Sequence, residues 1–285
     1  MEQHAGTLAH QIGRAVVTKV PELSLTFPAA KLLPGWETGG DDVGDASLTL
    51  NVHSWLVRVD GLTVLVDAGV GNGKKRAVAA FGGLDTPWLA RLAAAGARPE
   101  DVTHVLLTHL HTDHVGWNTV PGQGGWVPTF PNAVTVVPRL GYEFFTSPTG
   151  RASPNHDMFV DSVVPVVEAG RVVFVGPHEA EPLPDFTFLP TPGHSLDHSS
   201  ILLRSDGREA LFAGDVLHHP DQVARPDLCS MFCERPDEAR RSRLRMLDLA
   251  ADRAVTWFSS HCADTSAGRI SRTVDGFAWS FVLEP

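Results

Sequence analysis

Thr108-His109-Leu110-His111-Thr112-Asp113-His114 decides how this chain is read. Three histidines and one aspartate fall within six residues, directly after the apolar run 102–108, which predicts a short strand buried on both faces. A loop at a strand end is where functional side chains are displayed on a rigid scaffold. Imidazole and carboxylate groups packed this densely cannot all enter a core, because each buried one needs a hydrogen bond or a metal. His109 and His111 alternate, so an extended chain sends both rings to the same side. Asp113 and His114 follow as the chain turns, aimed at a second point nearby. Such donors suit Zn²⁺, with iron or manganese as alternatives.

Three later residues stand in the same setting. His194 follows a strand predicted over 186–189, Asp215 one over 210–213, and His261 one over 254–259. A single histidine or aspartate at such a place is ordinarily a hydrogen-bonded structural residue. Four strand ends that each offer a metal donor point instead to an assembled site.

The rest of the chain frames these loops. Strand-like runs over 48–59 and 62–67 are joined by the turn pair Asp60-Gly61, and further strands are expected over 133–137, 171–175 and 200–203. Helices are expected over 87–97, with Pro87 in the first turn, and over 237–253, where Leu244, Leu247 and Leu249 lie among charges. Two sets of strands with covering helices imply an α/β protein, an αββα sandwich of two sheets forming one domain over residues 1–285. Residues 1–45 read as a lead-in of weak periodicity, expected to contribute to a substrate pocket or a dimer contact.

Against 23 basic residues stand 33 acidic ones, a net charge of −10 with no Lys/Arg block, which argues against a nucleic-acid partner. No run approaches ~18 apolar residues, so no membrane span is expected. Residues 1–19 lack a signal-peptide core, and the three cysteines, Cys229, Cys233 and Cys262, are too few for a disulfide framework. Reduced thiols and a cytoplasmic location are the expectation.

The motif His-x-His-x-Asp-His at 109–114, with Val66-Asp67-Ala68-Gly69 upstream and His194, Asp215 and His261 downstream, resembles the metallo-β-lactamase superfamily over about residues 51–261. The resemblance implies two zinc ions. His109, His111 and His194 would hold one, Asp113, His114 and His261 the other, with Asp215 bridging both and a hydroxide bridging them on the open side. Zinc brings the pKa of bound water to about 7, and a metal pair polarises a carbonyl or phosphoryl oxygen. Asp113 is then a catalytic candidate, orienting the hydroxide or passing a proton to the leaving alkoxide.

Asp215 is at odds with true metallo-β-lactamases, and the acidic surface with nuclease branches. The lactonase, carboxylesterase and organophosphate-hydrolase branch is left. Gly193-His194-Ser195-Leu196-Asp197-His198-Ser199 is similar to a segment of those enzymes, and it makes His198 a second catalytic candidate, as a partner orienting a ligand or the bridging carboxylate. Trp117 stands where many lactonases carry a second glycine. Trp117 and Tyr142, the only tyrosine, are the candidate substrate contacts. Phe27, Trp36, Phe144, Phe145, Met158 and Phe159 are candidate apolar walls, and 146–157 is a lid or a solvated loop. Gly69 to Lys74 lacks the spacing of a phosphate-binding loop.

The activity expected is hydrolysis of an ester or lactone, an N-acyl homoserine lactone type first. Hydrolysis of an aryl ester, thioester or phosphotriester is the alternative, and metal-dependent sensing of a small molecule without turnover is the alternative of another class. The partners expected are a small-molecule substrate and, through the apolar lead-in, a second copy in a homodimer.

Overall fold

The computed structural model describes residues 9–36 and 46–283. The first sheet takes β1 (Ala9–Ile12), β2 (Ala15–Pro28), β3 (Ser47–Val59), β4 (Leu62–Val66) and β5 (His104–Leu106). A separate hairpin follows, β6 (Thr119–Gly122) with β7 (Gly125–Pro128), before β8 (Val134–Pro138) and β9 (Val172–Val175) complete that sheet. The second sheet runs in chain order through β10 (Ala180–Leu183), β11 (Phe186–Pro190), β12 (Ser199–Ser205), β13 (Arg208–Phe212), β14 (Thr256–Phe258), β15 (Ala267–Thr273) and β16 (Gly276–Phe281).

Helices α1 (Ala29–Leu32), α2 (Trp88–Ala94), α3 (Thr112–Val115), α4 (Arg139–Thr146), α5 (Pro148–Arg151), α6 (His156–Ser162) and α7 (Val164–Glu168) belong to the first half. α8 (Asp221–Ala224) and α9 (Pro236–Arg253) belong to the second.

The layering follows from where the apolar side chains go. Val17, Trp55, Val57 and Val64 of the first sheet meet Phe186, Phe188, Phe212 and Phe258 of the second in one buried cluster between the sheets. Each such side chain contributes about 2 kcal/mol by leaving water. Trp88, Leu92, Phe145 and Phe159 cover the outer face of the first sheet, and Met246, Leu247 and Ala250 of α9 that of the second. Pro236 opens α9, Asp237 and Glu238 sit in its first turn and Arg253 in its last, as the helix dipole favours. The αββα sandwich read from the sequence is what the chain forms.

Two expectations need correction. The lead-in is largely strand. β2 pairs antiparallel along β3 from Val16↔Arg58 to Pro28↔Ser47, with a bulge between Pro21 and Leu23. Pro21 and the bulge break the alternation that would have announced this strand, and the bulge turns Glu22 inward. Residues 37–45 of the lead-in lie outside the described residues. Segment 146–157 is mostly helical rather than a loop, holding α5 and the start of α6. The chain after His261 adds the β15–β16 hairpin, which the sequence reading left unassigned.

Candidate metal centre

Strand direction brings the donors together. β4 and β5 are parallel, and so are β13 and β14. β11 is antiparallel to β12, which is antiparallel to β13, so β11, β13 and β14 share one direction. Asp67, residues 109–114, His194, Asp215 and His261 follow the carboxyl ends of these strands, the edge where α/β sheets hold their ligands.

The side chains converge tightly. His194 Nε2 is 2.9 Å from His111 Nδ1 and 3.1 Å from Asp215 Oδ2. His261 Nε2 is 3.0 Å, and His114 Nε2 3.3 Å, from Asp215 Oδ1. Asp113 Oδ2 lies 3.8 Å from His114 Nε2 and 3.7 Å from His261 Nε2. One donor group is His109, His111 and His194, and a second is Asp113, His114 and His261; within each, the donor atoms lie within 4.8 Å of one another. Asp215 stands between the two groups. All seven residues predicted to hold metal are therefore in one place.

Hydrogen bonds behind the cluster set the tautomers. His261 Nδ1 is 2.8 Å from the Asn51 carbonyl, which only accepts, so Nδ1 carries a proton and Nε2 is the nitrogen left to face Asp215. His114 Nδ1 likewise donates to Asp67 Oδ2 at 2.8 Å. The Thr108 hydroxyl donates to Asp67 Oδ2 at 2.9 Å, so its oxygen accepts from His109 Nδ1 at 3.0 Å. Asp67 thus turns the Nε2 atoms of His109 and His114 toward Asp215.

The residues fit a divalent metal. Among the described residues His109 Nε2, His114 Nε2 and Asp215 Oδ1 are buried without a hydrogen-bond partner, a cost of about 1–3 kcal/mol each that a cation's coordination would remove. Nitrogen and carboxylate donors of this kind suit zinc. Burial pushes the pKa of His109 and His194 well below the ordinary value, keeping these imidazoles neutral as ligands must be. Burial would raise Asp215, but His261 and His114, whose own pKa values the neighbouring carboxylates carry above the ordinary one, hold it well below the carboxylate range.

A cavity of about 310 Å³ opens on the cluster. Leu25, Phe27, Leu50, Val52, Val78, Phe81 and Phe232 line its walls, and His111, Asp113, His194, Asp215, His218 and His261 face it together.

His218 is a residue the sequence reading left without a role. It is fully buried, its Nε2 is 3.3 Å from Asp215 Oδ2, and neither ring nitrogen has a hydrogen-bond partner among the described residues. Its place three residues after Asp215 was the available signal. Asp67 and Asp197 were also unassigned. Asp197 accepts from the Leu110 backbone and the Ser195 hydroxyl, tying the first histidine loop to the His194 loop.

Other expected contacts fall elsewhere. Trp117 is 3% exposed, stacks on Trp88 at 5.1 Å and donates its indole N–H to Glu22, so it is a core residue and does not line the cavity. Tyr142 packs against Phe159 and Phe174, also away from the cavity, because α4 presents it to the helices outside the first sheet. Phe145, Met158 and Phe159 are core; of the six expected wall residues, Phe27 lines the cavity.

His198 is 1% exposed and has both nitrogens engaged. Nδ1 donates to the Thr191 carbonyl at 3.1 Å, and Nε2 accepts the Asp215 backbone N–H at 2.8 Å. It therefore positions Asp215 rather than touching a substrate. Gly214 has φ +58 and a Cβ there would lie 2.5 Å from His198 Nε2, so only glycine lets the His198 ring approach the backbone here. The glycine run after Asp67 is spent internally: the N–H groups of Val70 and Gly71 donate to the Glu22 carboxylate.

The fold is shared with solved structures. The hydrolase AbOPH superposes with a TM-score of 0.82 at 23% identity, covering 99% of both chains. AidC, described as a dizinc quorum-quenching lactonase, superposes with a TM-score of 0.77 at 19% identity, covering 97% of both. In sequence, the atrochrysone carboxyl ACP thioesterase of Claviceps purpurea is 27% identical over 195 residues, 68% of this chain. The match spans 49% of that relative's length. The family description "Metallo-beta-lactamase superfamily" matches residues 48–261, which contain every donor described above, and the chain belongs to that superfamily.

Proposed function

We propose that this chain is a dinuclear-zinc hydrolase that opens a lactone or ester with an apolar acyl group, the N-acyl homoserine lactones being the first class to test. The observation that carries the reading is the meeting of an aliphatic and aromatic cavity with the seven-donor cluster. Two zinc ions held there by His109, His111 and His194, by Asp113, His114 and His261, and by Asp215 between them would supply hydroxide at neutral pH and draw charge from a carbonyl oxygen.

The chain's own side chains do the rest. Leu25, Phe27, Leu50, Val52 and Phe232 take the acyl chain out of water, at about 25 cal/mol per Å² of apolar surface covered. Asp113 faces the cavity with 17% of its side chain exposed, and its Oδ2 is the atom that takes a proton and returns it to the leaving alkoxide. His218 presents a ring N–H on the wall beside Asp215, where the substrate's acyl oxygen enters. Both sheets contribute donors, which supports one functional unit over the whole chain, and the three free thiols support a reducing, cytoplasmic setting.

A thioester is the second reading, favoured by the thioesterase relative. The test is acid release from a medium-chain N-acyl homoserine lactone, followed with a pH indicator, by zinc-loaded protein before and after chelation. Chelator-sensitive ring opening is expected. Zinc-loaded protein that leaves lactones intact but cleaves an acyl thioester would replace the first reading with the second.

A further inference from the structure

We propose that the end of the sandwich opposite the metal centre holds a second binding site, for a small organic dianion, a phosphate monoester or a dicarboxylate. The site does not depend on the hydrolase reading.

Strand direction fixes where it lies. Asp215 and His261 follow the carboxyl ends of β13 and β14, whereas Arg208 and Thr256 begin those two strands and Arg253 ends α9 just before β14. A cavity of about 470 Å³ opens at these amino ends. Arg208, Arg253, Thr256 and Arg269 line it from the second half of the chain, and His10 and Ile12 line it from β1.

The pleat puts charge where a sandwich keeps apolar side chains. Residues two apart on a strand share a face. Arg208 is therefore on the face of Ala210 and Phe212, and Arg269 on that of Ala267, residues that pack between the two sheets. Thr256 shares the face of Phe258 and is paired directly with Arg269. An apolar layer between sheets gains nothing from guanidinium groups, and such departures from the pattern fall at functional sites. β1 is the edge strand of the first sheet, so the layer opens beside it and both arginine side chains reach solvent.

The lining groups have donors to spare. Among the described residues, neither Arg208 nor Arg269 has an ion pair or a hydrogen bond. His10 is 3% exposed and edge-on to Phe258 at 5.4 Å, and neither of its ring nitrogens has a hydrogen-bond partner among the described residues. Glu209, the carboxylate on the lining, is already taken by Arg253 and, at 3.3 Å, by Arg204. Three arginines against one glutamate leave this cavity positive on a chain whose net charge is −10.

Those groups set the ligand's chemistry. A guanidinium donates and never accepts, and its planar fork matches the paired oxygens of a phosphate or carboxylate. Two unpaired arginines on one cavity call for two negative charges. Ile12, Ala254 and Val282 complete the lining with apolar surface, which favours an organic body over a bare inorganic ion.

The test is calorimetry on zinc-loaded protein with phenyl phosphate, with phthalate, and with benzyl alcohol as the neutral analogue. One dianion is expected to bind with a Kd below about 1 mM, more weakly as salt is added, and benzyl alcohol is expected to give no binding. The tighter of the two dianions identifies the headgroup. Arg208→Gln and Arg269→Gln should each weaken that binding by about tenfold or more, with metal content and ester turnover unchanged. Both side chains are exposed, so the fold is expected to survive, with circular dichroism as the check. A dianion that binds both variants as tightly as the parent and competes with ester hydrolysis sits at the metal centre and would overturn the proposal. Binding of neither dianion, or equal binding of benzyl alcohol, would overturn it too. Failure of ester turnover alone would touch only the hydrolase reading.

Discussion

Asp67 Oδ2 receives both the His114 Nδ1 proton at 2.8 Å and the Thr108 hydroxyl at 2.9 Å, and Thr108 in turn orients His109. One carboxylate, itself no metal donor, thereby aims two of the imidazoles. Asp67→Asn keeps the volume and replaces one accepting oxygen by a donating amide. Metal affinity is expected to fall about 10–100-fold with the fold retained. Competitive chelator titration and circular dichroism would check this.

His218 faces the cavity and touches Asp215, and its donor atom lies within 4.8 Å of those of His194 and Asp215, but it is not among the seven residues proposed to hold the metals. His218→Phe is expected to leave the bound metal unchanged and to lower kcat on the best ester by about 100-fold or more. Elemental analysis alongside steady-state kinetics separates the two readouts. Loss of one metal equivalent would make His218 a ligand.

Glu22 is a buried carboxylate that accepts N–H groups from Val70 at 2.6 Å, Gly71 at 3.1 Å and Trp117 at 2.7 Å. Glu22→Gln sets an amide N–H against those donors and is expected to cost about 2–4 kcal/mol in urea unfolding. Trp117→Phe removes one donor and should cost less. Neither should change KM, because neither residue lines the cavity.

Lys19 donates to the Asp264 carbonyl and the Ser266 hydroxyl, and burial lowers its pKa from 10.5 to about 8. Below pH 8 the lysine is charged in both the folded and unfolded chains, and folding bears the full burial cost. Between about 8 and 10.5 the unfolded chain still holds the proton that the folded one has released, so stability gains with rising pH. The gain is about 2 kcal/mol after allowance for solvent screening. Lys19→Met should lack it in denaturant titrations at pH 8 and pH 10.

Chelation tests whether the proposed metals stabilise the fold. Two sites saturated at about 100 times Kd add about 2.7 kcal/mol each, so removing both is expected to lower Tm by roughly 10–20 °C. Differential scanning calorimetry with and without chelator measures it. An unchanged Tm would mean that the donor cluster of His109, His111, Asp113, His114, His194, Asp215 and His261 binds no metal tightly.

Much of this was legible along the chain. Periodicity and turn residues place β3, β4, β11, β12, β13 and α9 within a few residues of where they form, because each carries its apolar pattern locally. β2 was not legible: Pro21 and the Glu22 bulge interrupt its alternation, and its strand character comes from pairing along β3. The donor set was legible because imidazole and carboxylate at strand ends have few other uses.

What the sequence by itself determined is the chemistry available: seven donors of the right kind, each placed after a strand, and two layers of apolar strands to carry them. What only the tertiary structure decided is which neighbours those donors and their surroundings meet. Trp117 and Tyr142 went to the core, and His218 came forward into the cavity. A residue's type is a local property. Whether it faces substrate, metal or core depends on the packing of two sheets brought together from opposite halves of the chain, and spacing along one strand does not encode that.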